Sequence, residues 1–112
     1  MEDELWVRVE KLRAWLDDKA DEVPAADVRL LRILKISEEV GEVGEAVHGA
    51  LGANPRKGHS HGWADVETEL ADVIVTAMVA LDTISGDGRQ VLADRLRELV
   101  VRVGLEAPAE VD

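Results

Sequence analysis

The chain has 112 residues, 24 acidic and 13 basic, for a net charge of −11, and it contains no cysteine. That length fits one domain with a real core, near the size at which a partner subunit helps. The missing cysteines exclude disulfides and thiolate zinc sites. The anionic balance argues against a nucleic-acid polymer or an anionic membrane as partner, because both need clustered Lys and Arg.

Helical periodicity dominates, and β-hairpin signals are missing. The first helix is expected from Glu2 to Asp18, with Leu5, Val9, Leu12 and Leu16 on one face and Trp6 and Trp15 near its borders. Pro24 disfavours a helical Val23, and Asp27 is placed to cap a second helix running from Val28 to Ala50. Gly52, Pro55, Gly58 and Gly62 then punctuate a loop. A third helix is expected from Trp63 to Ile84, a turn at "GDG", and a fourth helix from Arg89 to Val103.

The expected fold class is therefore all-α, a four-helix bundle with the second and third helices antiparallel at its centre. Residues 1–104 make one helical domain and residues 105–112 a flexible C-terminal tail. The start of the chain lacks a basic n-region and an apolar h-region, so a cytoplasmic location is expected. The longest nearly uninterrupted apolar run, Val73 to Leu81, is too short to span a bilayer. That run is apolar almost all round its helix, which calls for a homodimer or homotetramer to cover it.

The segment "SEEVGEVGEAV", Ser37 to Val47, holds four glutamates among small and apolar residues. With roughly 100° of rotation per residue, Val40, Val43, Ala46, Val47 and Ala50 define an apolar arc. Glu39 falls inside that arc and Glu42 at its edge, whereas Glu38 and Glu45 lie on the solvated side. On the third helix, Glu69 and Asp72 stand just before the apolar run, again three apart. Residues at i and i+3 are neighbours on a helix, so each pair can offer oxygens to one cation. Four converging carboxylates need compensation by metal or by protonation. Mg²⁺ suits such oxygen ligands where phosphates complete its shell, and Mn²⁺ is the alternative ion. Solvation on an acidic surface is the competing reading of either pair alone.

"EEVGE", a loop and then "ELADV" resemble the all-α nucleoside triphosphate pyrophosphohydrolases of the MazG-like superfamily. Their pattern is E-E-x-x-E on one helix and E-x-x-D on the next, and the likeness covers Leu34 to Leu81. The resemblance implies cleavage of a nucleoside triphosphate, with Mg²⁺, to monophosphate and pyrophosphate. It implies Glu39, Glu42, Glu69 and Asp72 as metal ligands, and Glu38 as the catalytic residue that positions or activates water. Lys35, one turn before Glu39, has the place of a lysine often found there, and it is equally placed for an i,i+4 ion pair.

Arg56 and Lys57 form a rare basic pair in an acidic chain and are candidates for substrate phosphate. Trp63 is a candidate for stacking on a base or for capping the core. His59 and His61 are read as loop histidines rather than ligands. The function expected is a Mg²⁺-dependent nucleotide pyrophosphohydrolase. The alternative is a catalytically weak or inactive helical module that binds nucleotide or protein.

Overall fold

A computed structural model describes residues 2–109 of the chain. Four helices follow in order: α1 over Glu2–Lys19, α2 over Ala25–Leu51, α3 over Trp63–Ser85 and α4 over Gly88–Arg102. Among the described residues there is no β-strand, only a single bridge between Asn54 and Gly58 inside the loop. None of these helices is long and apolar enough to cross a membrane. Beyond Arg102 the chain turns and continues without helix to residue 109, and the rest of the expected tail lies outside the described residues.

Helix α2 starts three residues earlier than the pattern of apolar residues suggests. Pro24, not Asp27, is its N-cap, with an extended backbone at φ −55° and ψ 140°. The Pro24 carbonyl accepts from the N–H groups of Asp27 and Val28 at 3.0 and 3.1 Å, which closes the first turn. Asp27 therefore sits inside that turn, where its charge complements the helix dipole.

The axis of the molecule is α3, which packs against each of the other three helices and most extensively against α2. Arg32, early in α2, meets Thr83, late in α3, while Glu39 approaches Glu69 and Asp72. The two helices therefore run antiparallel. The buried cluster joins Trp6 and Val9 of α1 to Met78 and Val79 of α3, with Leu16 and Val75 packed on its flank. This rotates the expected face of α1. Leu5 and Leu12 are 53 and 39 % exposed, whereas Trp6 is 7 % exposed. Turning α1 toward Trp6 buries the larger apolar side chain and brings Arg13 against α3.

Asp82 is the one buried charged residue among those described, 5 % exposed. Its Oδ2 accepts from Arg13 at 3.2 Å and its Oδ1 from the backbone N–H of Gly88 at 2.9 Å. A Cβ at Gly88 would stand 3.0 Å from the Asp82 backbone, a tight contact that glycine avoids in the α3–α4 turn. Asp17 extends the network, pairing with Arg13 at 3.4 Å and with Arg32 at 2.6 Å. Arg32 also donates to the Thr83 hydroxyl at 2.9 Å, so polar contacts link α1, α2 and α3 around the apolar cluster.

The described chain has a radius of gyration of 17.7 Å and extents of 61 × 45 × 24 Å. A compact domain of this length would have a radius of about 13 Å. The difference reflects helices splayed around α3, with much apolar surface left in contact with solvent. Along α3, Trp63, Leu70, Ile74 and Ile84 are exposed on one outward stripe.

Candidate metal centre

Glu39 is set on the side of α2 that faces α3 by the same helical arc that buries Ala46 and half-buries Val43. Its side chain is only 12 % exposed. Glu69 and Asp72, one turn apart on α3, come to meet it, Glu69 half-buried and Asp72 exposed. One oxygen from each of the three carboxylates lies within 4.8 Å of the others. Glu69 Oε2 is buried and has no hydrogen-bond partner. A buried carboxylate oxygen without a donor costs several times an ordinary hydrogen bond unless a cation or proton reaches it.

The positive charge closest to this group is Lys35, one turn before Glu39 on α2. Its Nζ lies 3.1 Å from Glu38 Oε2 and 3.7 Å from Glu39 Oε1. The hydrogen bond to Glu38, then its negative charge, and then those of Glu39 and Glu42 hold the Lys35 pKa above its ordinary 10.5. Among the described residues, no Lys or Arg pairs with Glu69 or Asp72, so Lys35 compensates the α2 side of the cluster only.

Three of the four expected metal ligands are thus brought together, and Glu42 is not among them. Glu42 is exposed, one turn beyond Glu39 on the solvent side. Glu38 is exposed as well, with its carboxylate on Lys35.

The other sequence candidates stand elsewhere. In the loop, Asn54 Oδ1 accepts from the backbone N–H groups of Arg56 and Lys57 at 2.9 and 3.3 Å, an Asx turn that fixes the tip. Lys57 then reaches to 3.7 Å from Glu45. Glu45 is six residues after Glu39, roughly 240° further round the helix, on the face turned away from the carboxylates. The loop is seated there because Gly49 has no side chain, and a Cβ would overlap the His61 ring. His59 contacts the Ala50 carbonyl at 3.2 Å and His61 the Ser60 hydroxyl at 2.9 Å, local bonds in keeping with loop histidines. Trp63 opens α3 on its outward stripe and is exposed.

Asp82 was missed in the sequence because an acid near the end of an apolar helix reads as a solvated edge. Its position just before "GDG" was the available signal: a turn that sharp needs its N–H groups capped. Neither family models, curated proteins nor solved structures give a match to this chain.

Proposed function

We propose that the protein is a Mg²⁺-dependent nucleotide pyrophosphohydrolase that cleaves a nucleoside triphosphate to monophosphate and pyrophosphate. The observation that carries this reading is the meeting of Glu39, Glu69 and Asp72, with Glu69 Oε2 buried and unpartnered. All three are hard oxygen donors held on two packed helices, which suits Mg²⁺ or Mn²⁺ rather than a soft metal. Glu42, one turn further along α2, stands on the solvent side and joins the donor set only by turning in toward the ion. The spacing of these acids also carries the resemblance to MazG-like enzymes.

A divalent cation held there supplies Lewis-acid polarisation of a phosphoryl oxygen and a water of lowered pKa. The chain's own contribution is orientation and charge. Lys35 bridges Glu38 and Glu39 and keeps a positive charge at the rim for a phosphate. Glu38, held by that bridge and open to solvent, is the group proposed to accept the proton of the attacking water. Arg56 and Lys57 take part only if the loop leaves Glu45.

The exposed stripe of α3 supports a second part of the proposal, that two or four copies assemble through it. The same observation favours the alternative function, an interaction module in which the acids only decorate a surface. Thermal unfolding with and without Mg²⁺ or Mn²⁺, combined with pyrophosphate release from common nucleoside triphosphates, separates the two. An enzyme is stabilised by the ion and releases pyrophosphate, whereas a module does neither.

A further inference from the structure

We infer that the groove between α1 and α4 is a docking surface for an amphipathic helix of another protein, one whose apolar stripe is flanked by Asp or Glu. Both α1 and α4 pack on α3, and Arg89 of α4 donates to Glu10 of α1 at 2.9 Å. Between the two helices lies a groove of about 590 Å³. Leu5 and Trp6 of α1 line it on one side, and Leu92, Leu96 and Val100 of α4 on the other.

The α4 wall is a helical stripe, since Leu92, Leu96 and Val100 follow one another at steps of four residues. Much of that stripe is open to solvent. Leu96 is 58 % exposed, and Leu92, Leu99 and Val103 are exposed as well. An apolar stripe open beside a second helix is the seat that a further helix takes by packing its ridges into the groove.

Charge decides which helix fits. Helix α4 carries Arg89, Arg95, Arg97 and Arg102 against Asp94 and Glu98, in a chain whose net charge is −11. The lining of the groove repeats this sign, with Arg89 and Arg97 against Glu106. Arg95 is engaged by Glu98 at 3.0 Å and Arg89 by Glu10, whereas among the described residues no carboxylate pairs with the exposed Arg97. Arg89 and Arg97 are eight residues apart, roughly 12 Å along the helix axis. A small ligand is held by polar groups that converge on one point, and these do not. A helix lying along the groove spans that distance in about two turns, with its apolar residues on the stripe and its acids beside the arginines.

The test uses the full chain without Mg²⁺, so that it is independent of the carboxylate site, and two fluorescently labelled helical peptides of about 18 residues. Both peptides carry leucine at helical spacing, one with Glu flanking the stripe and the other with Lys. In anisotropy titrations at low salt the acidic peptide should bind at least about tenfold more tightly than the basic one, and the gap should narrow as salt rises. Leu96→Glu should weaken the acidic peptide at least about tenfold. Arg97→Glu, at an exposed polar position, should cancel or reverse the preference, which keeps the test independent of any loss of fold in Leu96→Glu. No binding of the acidic peptide at roughly 100 µM, or equal binding of both peptides, would overturn the proposal. So would sedimentation in which Leu96→Glu dissociates an assembly of the parent chain, because the groove is then covered by a second copy.

Discussion

Arg13 of α1 donates to Asp82 of α3 across 3.2 Å, in the most buried ion pair among the described residues. Asp82 is only 5 % exposed there, and its other oxygen accepts from the backbone N–H of Gly88, where α4 begins. Removing one partner of such a pair leaves the other charge uncompensated. Asp82→Ala should destabilise the protein by about 3 kcal/mol, and a double-mutant cycle with Arg13→Ala should show strong coupling. Additive losses in denaturant unfolding would contradict the pairing.

Gly88 gives an independent check on the same corner. A Cβ added there would stand 3.0 Å from the backbone of Asp82. Gly88→Ala should cost about 1–3 kcal/mol through overpacking, although alanine is intrinsically the better helix former. A stabilised variant in thermal unfolding would show that the turn is looser than described.

Lys35 makes a prediction about pH. Its pKa is raised, first by the hydrogen bond to Glu38, so the folded state binds its proton more tightly than the unfolded state. The stability it contributes is fully present below 10.5 and is lost as pH rises through the higher folded value. An NMR titration of the Lys35 side chain should place its midpoint above that of a free lysine, and Glu38→Gln should lower it. On the functional reading, Lys35→Ala should weaken nucleotide binding more than Arg56→Ala with Lys57→Ala does, because the loop pair sits on the far side of α2.

The outward stripe of α3 predicts assembly. Ile74 is 59 % exposed, with Leu70 and Trp63 beside it on the same stripe. Sedimentation should show a dimer or tetramer for the parent chain and a smaller species for Ile74→Glu. A parent chain that stays monomeric at high micromolar concentration would remove this part of the account.

The helices were legible in the sequence because Pro24, the loop glycines and "GDG" interrupt strong apolar periodicity. The starts at Glu2 and Trp63 stand where expected, and the other boundaries moved by one to three residues, most at Pro24, where a carbonyl rather than an aspartate caps the helix. The face of α1 was not legible. Leu5-Val9-Leu12-Leu16 and Trp6-Val9-Leu16 are both valid helical stripes, and only packing against α3 selects the second. At the candidate site, Glu39 stood out because its arc is otherwise apolar, and Glu69 and Asp72 because of their spacing before an apolar run. The resting place of Lys57 was hidden, since a loop ion pair to Glu45 depends on how the loop folds back over Gly49. Asp82 was hidden for a similar reason: its partners come from α1 and from the next turn, far apart in the chain.

The most direct measurement of the central claim compares Glu39→Gln, Glu69→Gln and Asp72→Asn with Glu45→Gln, each assayed for Mg²⁺-induced thermal stabilisation and for pyrophosphate release. All four remove one negative charge with little change in size. The first three should abolish most of the stabilisation and reduce turnover by at least about a hundredfold, while the apo forms hold or gain stability as repulsion is relieved. Glu45→Gln should keep both properties near those of the parent chain. Equal loss in all four variants, or no loss in any, would contradict the claim that these carboxylates form a cation site.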